Sequence, residues 1–182
     1  PATVHMMGSI AEKGNHKGAI HTGGSSALGR MLIRYFKHKG IKLINVVRRD
    51  EYIEELKKDG ADYVLNSKAP DFEERLKELT EKEHATLAFD AIGGDFTNKV
   101  LKSLPSGSEY LIYGALDGPE IHTISIMELF KGKTIGPLFM PGYAEGLKNK
   151  GELDKFYDEV HHLLPTLLRS HVQKVFKIED IN

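Results

Sequence analysis

The chain has 182 residues, 40% of them hydrophobic and 28% charged, with 25 basic and 26 acidic side chains and a net charge of −1. That balance fits a globular protein with a sizeable core and argues against a dedicated nucleic-acid binder. There is no cysteine, which excludes disulfides, a thiol nucleophile and Cys-rich zinc sites. No apolar run approaches the roughly 18 residues that a membrane span needs, and no signal peptide is visible. A cysteine-free chain fits a reducing compartment, so the cytoplasm is the expectation and the mitochondrion the alternative. The chain opens at Pro1 without methionine, so either an initiator was removed or the sequence is a piece of something longer.

Thr3 to Lys13 reads as a helix, with Val4, Met7 and Ala11 on one face and Gly14 as its stop. A short strand around Ala19-Ile20 follows. Ala27 to Lys39 is helical, because Leu28, Leu32 and Tyr35/Phe36 fall at i, i+4 and i+7/8, and Gly40 ends it. Lys42 to Val47 is a second strand, and Asp50 caps a helix that ends at Gly60. Asp62 to Leu65 is a third strand and Asp71 to about Lys82 a charged helix. Ala85 to Phe89 is a fourth strand, and Asp95 caps a helix with Phe96, Val100 and Leu104 inward. Glu109 to Tyr113 is a fifth strand. Lys133-Thr-Ile followed by Pro137-Leu-Phe-Met140 suggests a sixth. Glu152 to Leu168 has helical spacing, with Pro165 as a kink or end, and Val172 to Ile178 suggests a final short strand.

Strands that alternate with amphipathic helices predict an α/β fold: an open, doubly wound, mostly parallel six-stranded sheet of Rossmann type, with helices on both faces. With no linker or repeat in view, residues 1–182 read as a single dinucleotide-binding domain with flanking N- and C-terminal helices.

The most informative segment is Ile20-His-Thr-Gly-Gly-Ser-Ser-Ala-Leu-Gly-Arg30, between the first strand and the first long helix of the series. There such a fold holds a pyrophosphate. Gly23 and Gly24 permit a tight turn. Small side chains at Ser25, Ser26 and Ala27 let a ligand reach the backbone, and the amides of the helix start favour an anion. Gly29 would let the helix pack closely on the sheet. The plainer reading is a strand-to-helix turn that needs glycine for its own geometry. The second strand ends at Arg48-Arg49, where an acidic residue would select a free ribose hydroxyl. Two guanidiniums suit a 2′-phosphate instead, although they could also be solvated surface charges.

Five segments together resemble a known family: His21-Thr-Gly-Gly-Ser-Ser-Ala-Leu-Gly-Arg-Met31, Gly60-Ala-Asp-Tyr-Val-Leu-Asn66, Ala88-Phe-Asp-Ala-Ile-Gly-Gly94, Leu111-Ile-Tyr-Gly114 and Val175-Phe-Lys-Ile-Glu-Asp-Ile-Asn182. In this order they resemble the cofactor-binding domain of medium-chain dehydrogenase/reductases, in the zinc-free quinone oxidoreductase and enoyl-thioester reductase branch. The resemblance implies an NADP(H)-binding domain of an oxidoreductase that transfers hydride to a quinone, enone or enoyl thioester. It places the pyrophosphate at Gly23, Gly24, Ser25, Ser26, Ala27, Leu28 and Gly29, and the 2′-phosphate at Arg48 and Arg49. Asn66 and Ser67 would lie near the adenosine, and Ala91, Ile92 and Gly93 beside the middle of the cofactor. Tyr113, Gly114, Ala115 and Leu116, with Phe139 and Met140 at the sixth strand, would line the nicotinamide side. Two departures stand out. Ser26 replaces a frequent glycine, and the GroES-like catalytic domain that precedes this region in the family is absent from the chain.

The resemblance further implies a homodimer joined through the last strand, around Ile135 to Met140, and a small-molecule substrate held partly by the missing domain. The alternative is a non-catalytic nucleotide-binding or assembly module. No catalytic residue is evident and no metal ligand is expected. His161 and His162 are adjacent and diverge on a helix, while His5, His16, His38 and His84 read as surface residues. His21 and Asp90, at strand ends, read as packed or orienting groups, and Lys131 with Lys133 as a solvated pair. No P-loop lysine follows the glycines. A short-chain dehydrogenase is disfavoured, since Tyr52 and Tyr157 have no lysine four residues on.

Overall fold

In a computed structural model, residues 1–118, 120–121, 123–170, 172 and 174–180 are described. The chain runs α1 (Ala2–Lys13), β1 (Gly18–His21), α2 (Ala27–His38), β2 (Lys42–Val47), α3 (Glu51–Lys58), β3 (Tyr63–Asn66), α4 (Phe72–Lys82), β4 (Ala85–Asp90), α5 (Phe96–Ser103), β5 (Glu109–Ile112), α6 (Ile126–Phe130), β6 (Thr134–Pro137), α7 (Met140–Asn149) and α8 (Leu153–Leu163). All five strand pairings are parallel and the order is β3-β2-β1-β4-β5-β6. This is the doubly wound Rossmann order, and it agrees with the predicted α/β sheet.

The order reverses between β1 and β4, because α4 carries the chain across the sheet to the opposite face. One face packs α1, α2, α3, α7 and α8 around Met7, Leu32, Phe36, Leu43, Leu56 and Phe156. The other packs α4 and α5 around Ile44, Leu65, Leu76, Val100 and Leu101. β1 is buried along its whole length and β2 along all but its first residue, so their buried positions are mostly apolar, as in strands covered on two faces, with His21 and Asn45 as the polar exceptions.

The structure departs from the sequence reading in several places. α6 and α7 lie where no helix is predicted. The sixth strand stops at Pro137, so Phe139 and Met140 fall outside it: Phe139 precedes α7, and Met140 is its first residue. The last helix ends at Leu163 rather than Leu168. Val172 to Ile178 forms no strand among its described residues, of which Val172, Val175, Phe176 and Ile178 are exposed; Gln173 there, and Ile181 and Asn182 of the terminal motif, lie outside the described residues. Neither Asp50 nor Asp95 caps its helix with its side chain.

Lys133 is buried, not solvated. It donates to the Leu101 carbonyl at 2.7 Å and pairs with Glu128, whose other oxygen accepts from Lys131. His5 is also buried; it packs on Tyr35 and Phe156 and bridges to Glu159 at 3.1 Å. His16 is half-buried and bonded to Thr86 at 2.7 Å. His38 and His84 are exposed as expected.

Candidate functional site

The carboxyl ends of β1, β2, β3 and β4 open onto a cleft of about 450 Å³, at the point where the strand order reverses. Its walls include Gly23, Ser25, Ser26, Arg48, Arg49, Ser67, Ile92 and Leu116. Open α/β sheets bind ligands at this crevice.

The Gly-rich turn lines it through Gly23, Ser25 and Ser26. Ser26 is the N-cap of α2: its hydroxyl accepts from the Gly29 amide at 3.0 Å and donates to the Gly23 carbonyl at 2.7 Å. Its φ of −70° is ordinary for any residue, so serine satisfies the turn here without a glycine. Gly24 lies against β2, donating to the Val46 carbonyl at 3.1 Å, and a Cβ on it would sit 3.1 Å from Asn45 Cβ. A Cβ on Gly29 would sit 2.4 Å from the Gly24 carbonyl oxygen and 2.5 Å from that of Gly23. Gly29 therefore lets α2 close onto its own entry turn, a more local reason than packing on the sheet. Among the described residues the amides of Ser25, Ala27 and Leu28 find no acceptor. A first turn of free amides backed by a helix dipole suits an anion.

Beyond β2, Arg48 is exposed and has no ion pair among the described residues. Arg49 pairs with Glu51 at 2.9 Å and lies 5.4 Å from the Tyr52 ring centroid. Asp50 accepts from Asn66 Nδ2 at 2.9 Å, while Asn66 Oδ1 accepts from the Lys68 amide. Asn66 is thus engaged in tying β3 to the start of α3, and Ser67 beside it faces the cleft.

Below the cleft is a buried polar cluster around Asp90. Its carboxylate accepts from Thr22 Oγ1 (2.7 Å), Thr97 Oγ1 (2.8 Å), the Tyr110 hydroxyl (2.9 Å) and the amides of Ile92 (2.8 Å) and Gly93 (3.2 Å). Thr22 Oγ1 in turn accepts from the Ala91 amide at 2.9 Å. Burial, then the Asp90 charge, holds the Tyr110 phenol well above its ordinary range. One carboxylate thereby fixes the loops after β1 and β4 to α5 and β5. Gly93, with φ +68°, occupies a backbone region that favours glycine. The loop after β5 lies against the same segment: a Cβ on Gly114 would sit 2.5 Å from the Ala91 carbonyl oxygen, and the Asp117 amide donates to Ile92 at 2.9 Å.

His21 is completely buried and shares a 2.6 Å hydrogen bond through Nε2 with the Tyr113 hydroxyl, their rings stacked 9° from parallel. Burial pushes the imidazole down to about 4, and burial followed by Asp90 pushes the Tyr113 phenol well up.

Of the predicted residues, Gly24, Ala27, Leu28, Gly29, Ala91, Gly93 and Gly114 shape the turn and loops without lining the cleft, and Asn66 holds Asp50. Tyr113 lies beneath Gly23, and Ala115 is exposed on the β5 loop. Phe139 and Met140 are not in the cleft. The sequence reading missed Thr22, Tyr52, Lys68, Asp95, Phe96, Lys99 and Asp117, all of which line it. Lys68 could have been found from its place directly after Ser67, and Lys99 from lying one helical turn beyond Asp95. A Tyr-x-x-x-Lys spacing does exist at Tyr35 and Lys39. Tyr35 is buried under α1 at the far end of α2, and Lys39 pairs with Glu12, so that pair is remote from the cleft.

The model of the zinc-binding dehydrogenase family matches residues 27–152. The chain belongs to that family. A mitochondrial enoyl-[acyl-carrier-protein] reductase of Yarrowia lipolytica is 28% identical over 177 residues, covering 91% of this chain and 46% of its own length. A candidate NADPH:quinone reductase from Mesorhizobium loti superposes with a TM-score of 0.75 at 31% identity, over 87% of this chain and 48% of that one. Quinone oxidoreductase from Escherichia coli, solved with NADPH, gives a TM-score of 0.77 at 20% identity over 96% and 54%. The chain therefore spans about half the length of the relatives it matches. Despite the name of this dehydrogenase family, the residues here do not fit a zinc site: there is no cysteine, and among the described residues no three His, Asp or Glu side chains converge. No helix among them is long and apolar enough to cross a membrane.

Proposed function

We propose that this chain is the NADP(H)-binding domain of a zinc-independent oxidoreductase that transfers hydride to a quinone, enone or enoyl thioester. The observation that carries the reading is one cleft at the strand-order reversal that holds two cations without an ion-pair partner among the described residues, Arg48 and Lys68, and is lined by Gly23, Ser25 and Ser26 of the helix-start turn whose Ser25, Ala27 and Leu28 amides find no acceptor there. The amides of Ser25, Ala27 and Leu28 would hold the pyrophosphate. Arg48, with Lys68 and the partly engaged Arg49, would hold a 2′-phosphate. One oxygen of the Asp50 carboxylate already accepts from Asn66, so the acid nearest Arg48 in sequence is partly committed to the tie between β3 and α3.

The dinucleotide supplies the hydride. The protein's own part is to hold it in place through the Gly23–Gly29 turn, and to set the β4 and β5 loops, from Ala91 to Gly93 and from Tyr113 to Leu116, through Asp90. A second, GroES-like domain is proposed to complete the substrate side, so this chain alone should show no appreciable turnover. The outer edge of β6 is unpaired among the described residues and would join a second copy, a contact that sedimentation at micromolar concentration would detect. A cytoplasmic setting, with the mitochondrion as alternative, belongs to the same proposal.

Calorimetric titration with NADPH and NADH tests the reading. NADPH should bind roughly tenfold or more tightly than NADH, as a charge-assisted contact to the extra phosphate requires. Equal affinities would remove the cofactor choice, and absence of binding to both would overturn the dinucleotide site.

A further inference from the structure

His21 lines no part of the cleft, yet both of its ring nitrogens must be accounted for in a fully buried setting. Nε2 meets the Tyr113 hydroxyl at 2.6 Å. Nδ1 is buried without a partner among the described residues, and so is Asn45 Oδ1. Asn45 is the register partner of His21 on β2, so both side chains leave the sheet on the same face. The Asn45 amide nitrogen is already directed at the Tyr63 and Leu43 carbonyls, which leaves its oxygen as an acceptor. An unpaired acceptor on that face, rather than a second donor, favours the tautomer with the proton on Nδ1. Nε2 then carries only a lone pair, so the Tyr113 hydroxyl must be the donor. Burial keeps the imidazole neutral, pushed down to about 4, so no second proton reverses that assignment near neutrality. Tyr113 is left with acceptor capacity alone.

The Tyr113 hydroxyl lies 3.4 Å from the position of a Cβ on Gly23, beneath the turn where the cleft crosses from β1 to β4. On the dinucleotide reading, on which this inference rests, the adenosine end sits by the β2 and β3 cations and the pyrophosphate at the turn. The nicotinamide half then extends over β4 and β5. We propose that His21 is a positioning residue: by accepting the Tyr113 proton it fixes that hydroxyl as a hydrogen-bond acceptor for an amide or hydroxyl donor on the nicotinamide-ribose half.

The test compares two probes on the full chain by calorimetry: NADPH, and adenosine 2′,5′-bisphosphate, which has the adenosine end and no nicotinamide. Tyr113→Phe keeps the stacked ring and removes the hydroxyl. It should weaken NADPH roughly two- to tenfold, the range of one neutral hydrogen bond, and leave the bisphosphate unchanged. His21→Leu should do the same, and His21→Gln, whose side-chain carbonyl can take the place of Nε2, should restore most of the loss. Nitrogen NMR of the wild-type ring should show the proton on Nδ1. The inference is overturned if both probes weaken together, if neither moves, if the wild type binds the two equally, or if the proton is on Nε2. A wild type that binds neither probe instead refutes the dinucleotide reading, and this inference falls with it.

Discussion

At the β2–β3 end of the cleft the functional side chains are long, charged and exposed: Arg48, Arg49 and Lys68 stand on the rim with few partners. Beneath the β1–β4–β5 end lies a layer of buried polar side chains, in which Asp90 alone accepts five hydrogen bonds. The rim keeps its hydrogen-bonding capacity for a ligand, whereas the floor has already committed its own to the fold. Substitutions on the floor should therefore act first on stability, and those on the rim on affinity with stability untouched.

The largest effect should come from Asp90→Ala. It would leave the hydroxyls of Thr22, Thr97 and Tyr110 buried without their acceptor, and should destabilise the chain by about 3–5 kcal/mol in urea unfolding. Asp90→Asn keeps an acceptor and should cost less. A loss below about 1 kcal/mol for Asp90→Ala would show that the floor is not held by this carboxylate.

Acid offers a second way to break the floor. The His21 imidazole is held at about 4 in the folded protein, against an ordinary value near 6.5. Above pH 6.5 both the folded and unfolded states carry a neutral ring and stability is at its full value. Between pH 6.5 and about 4 the unfolded chain takes up a proton that the folded one refuses, so stability falls by roughly 3 kcal/mol across that window. Burial lowers the His5 value too, in the same direction. Unfolding free energy measured from pH 7 to pH 4 should fall in the wild type and much less steeply in His21→Leu; parallel slopes would refute the assignment to His21.

Gly29→Ala should act on both ends at once. The new Cβ meets two backbone carbonyls of the turn at 2.4 and 2.5 Å, and neither can swing aside as a side-chain tip would. A loss of about 1–3 kcal/mol is expected from the strain, despite the better helix propensity of alanine, and NADPH affinity should drop with it because the free amides move. Unchanged melting and affinity would mean that the turn is looser than its contacts imply.

The contrast between rim and floor also explains what could be read from the sequence. β2 was legible over its full extent, Lys42 to Val47, because four of its five buried residues, Leu43, Ile44, Val46 and Val47, are apolar and β-prone, as in a strand covered on both faces. That the Gly-rich turn and Arg48 stand at the cleft was legible because their signal is local. The Asp90 cluster was not, since its partners Thr22, Thr97 and Tyr110 come together only through the sheet order. α7 was hidden because Leu138-Phe139-Met140 looks like a strand, although Pro141 in the first turn of a helix is a start signal. Val172 to Ile178 has the composition of a strand, but its described residues pair with none of the six strands, and composition cannot show that.

The smallest effect should separate the two arginines of the rim, which the sequence presents as equivalent. Arg48 has no ion pair among the described residues, so binding a 2′-phosphate costs it no existing contact, and Arg48→Ala should weaken NADPH roughly tenfold while leaving NADH nearly unchanged. Arg49 already pairs with Glu51 and stacks over Tyr52. To reach the phosphate it would have to exchange one ion pair for another in exposed surroundings, where such pairs contribute little. Arg49→Ala should therefore weaken NADPH no more than about threefold. Glu51→Gln, which releases Arg49, should tighten NADPH slightly and have no effect in an Arg49→Ala background. If Arg49→Ala costs more than Arg48→Ala, the guanidinium that reads the phosphate is the one on Tyr52, and the exposed Arg48 is a solvated surface charge.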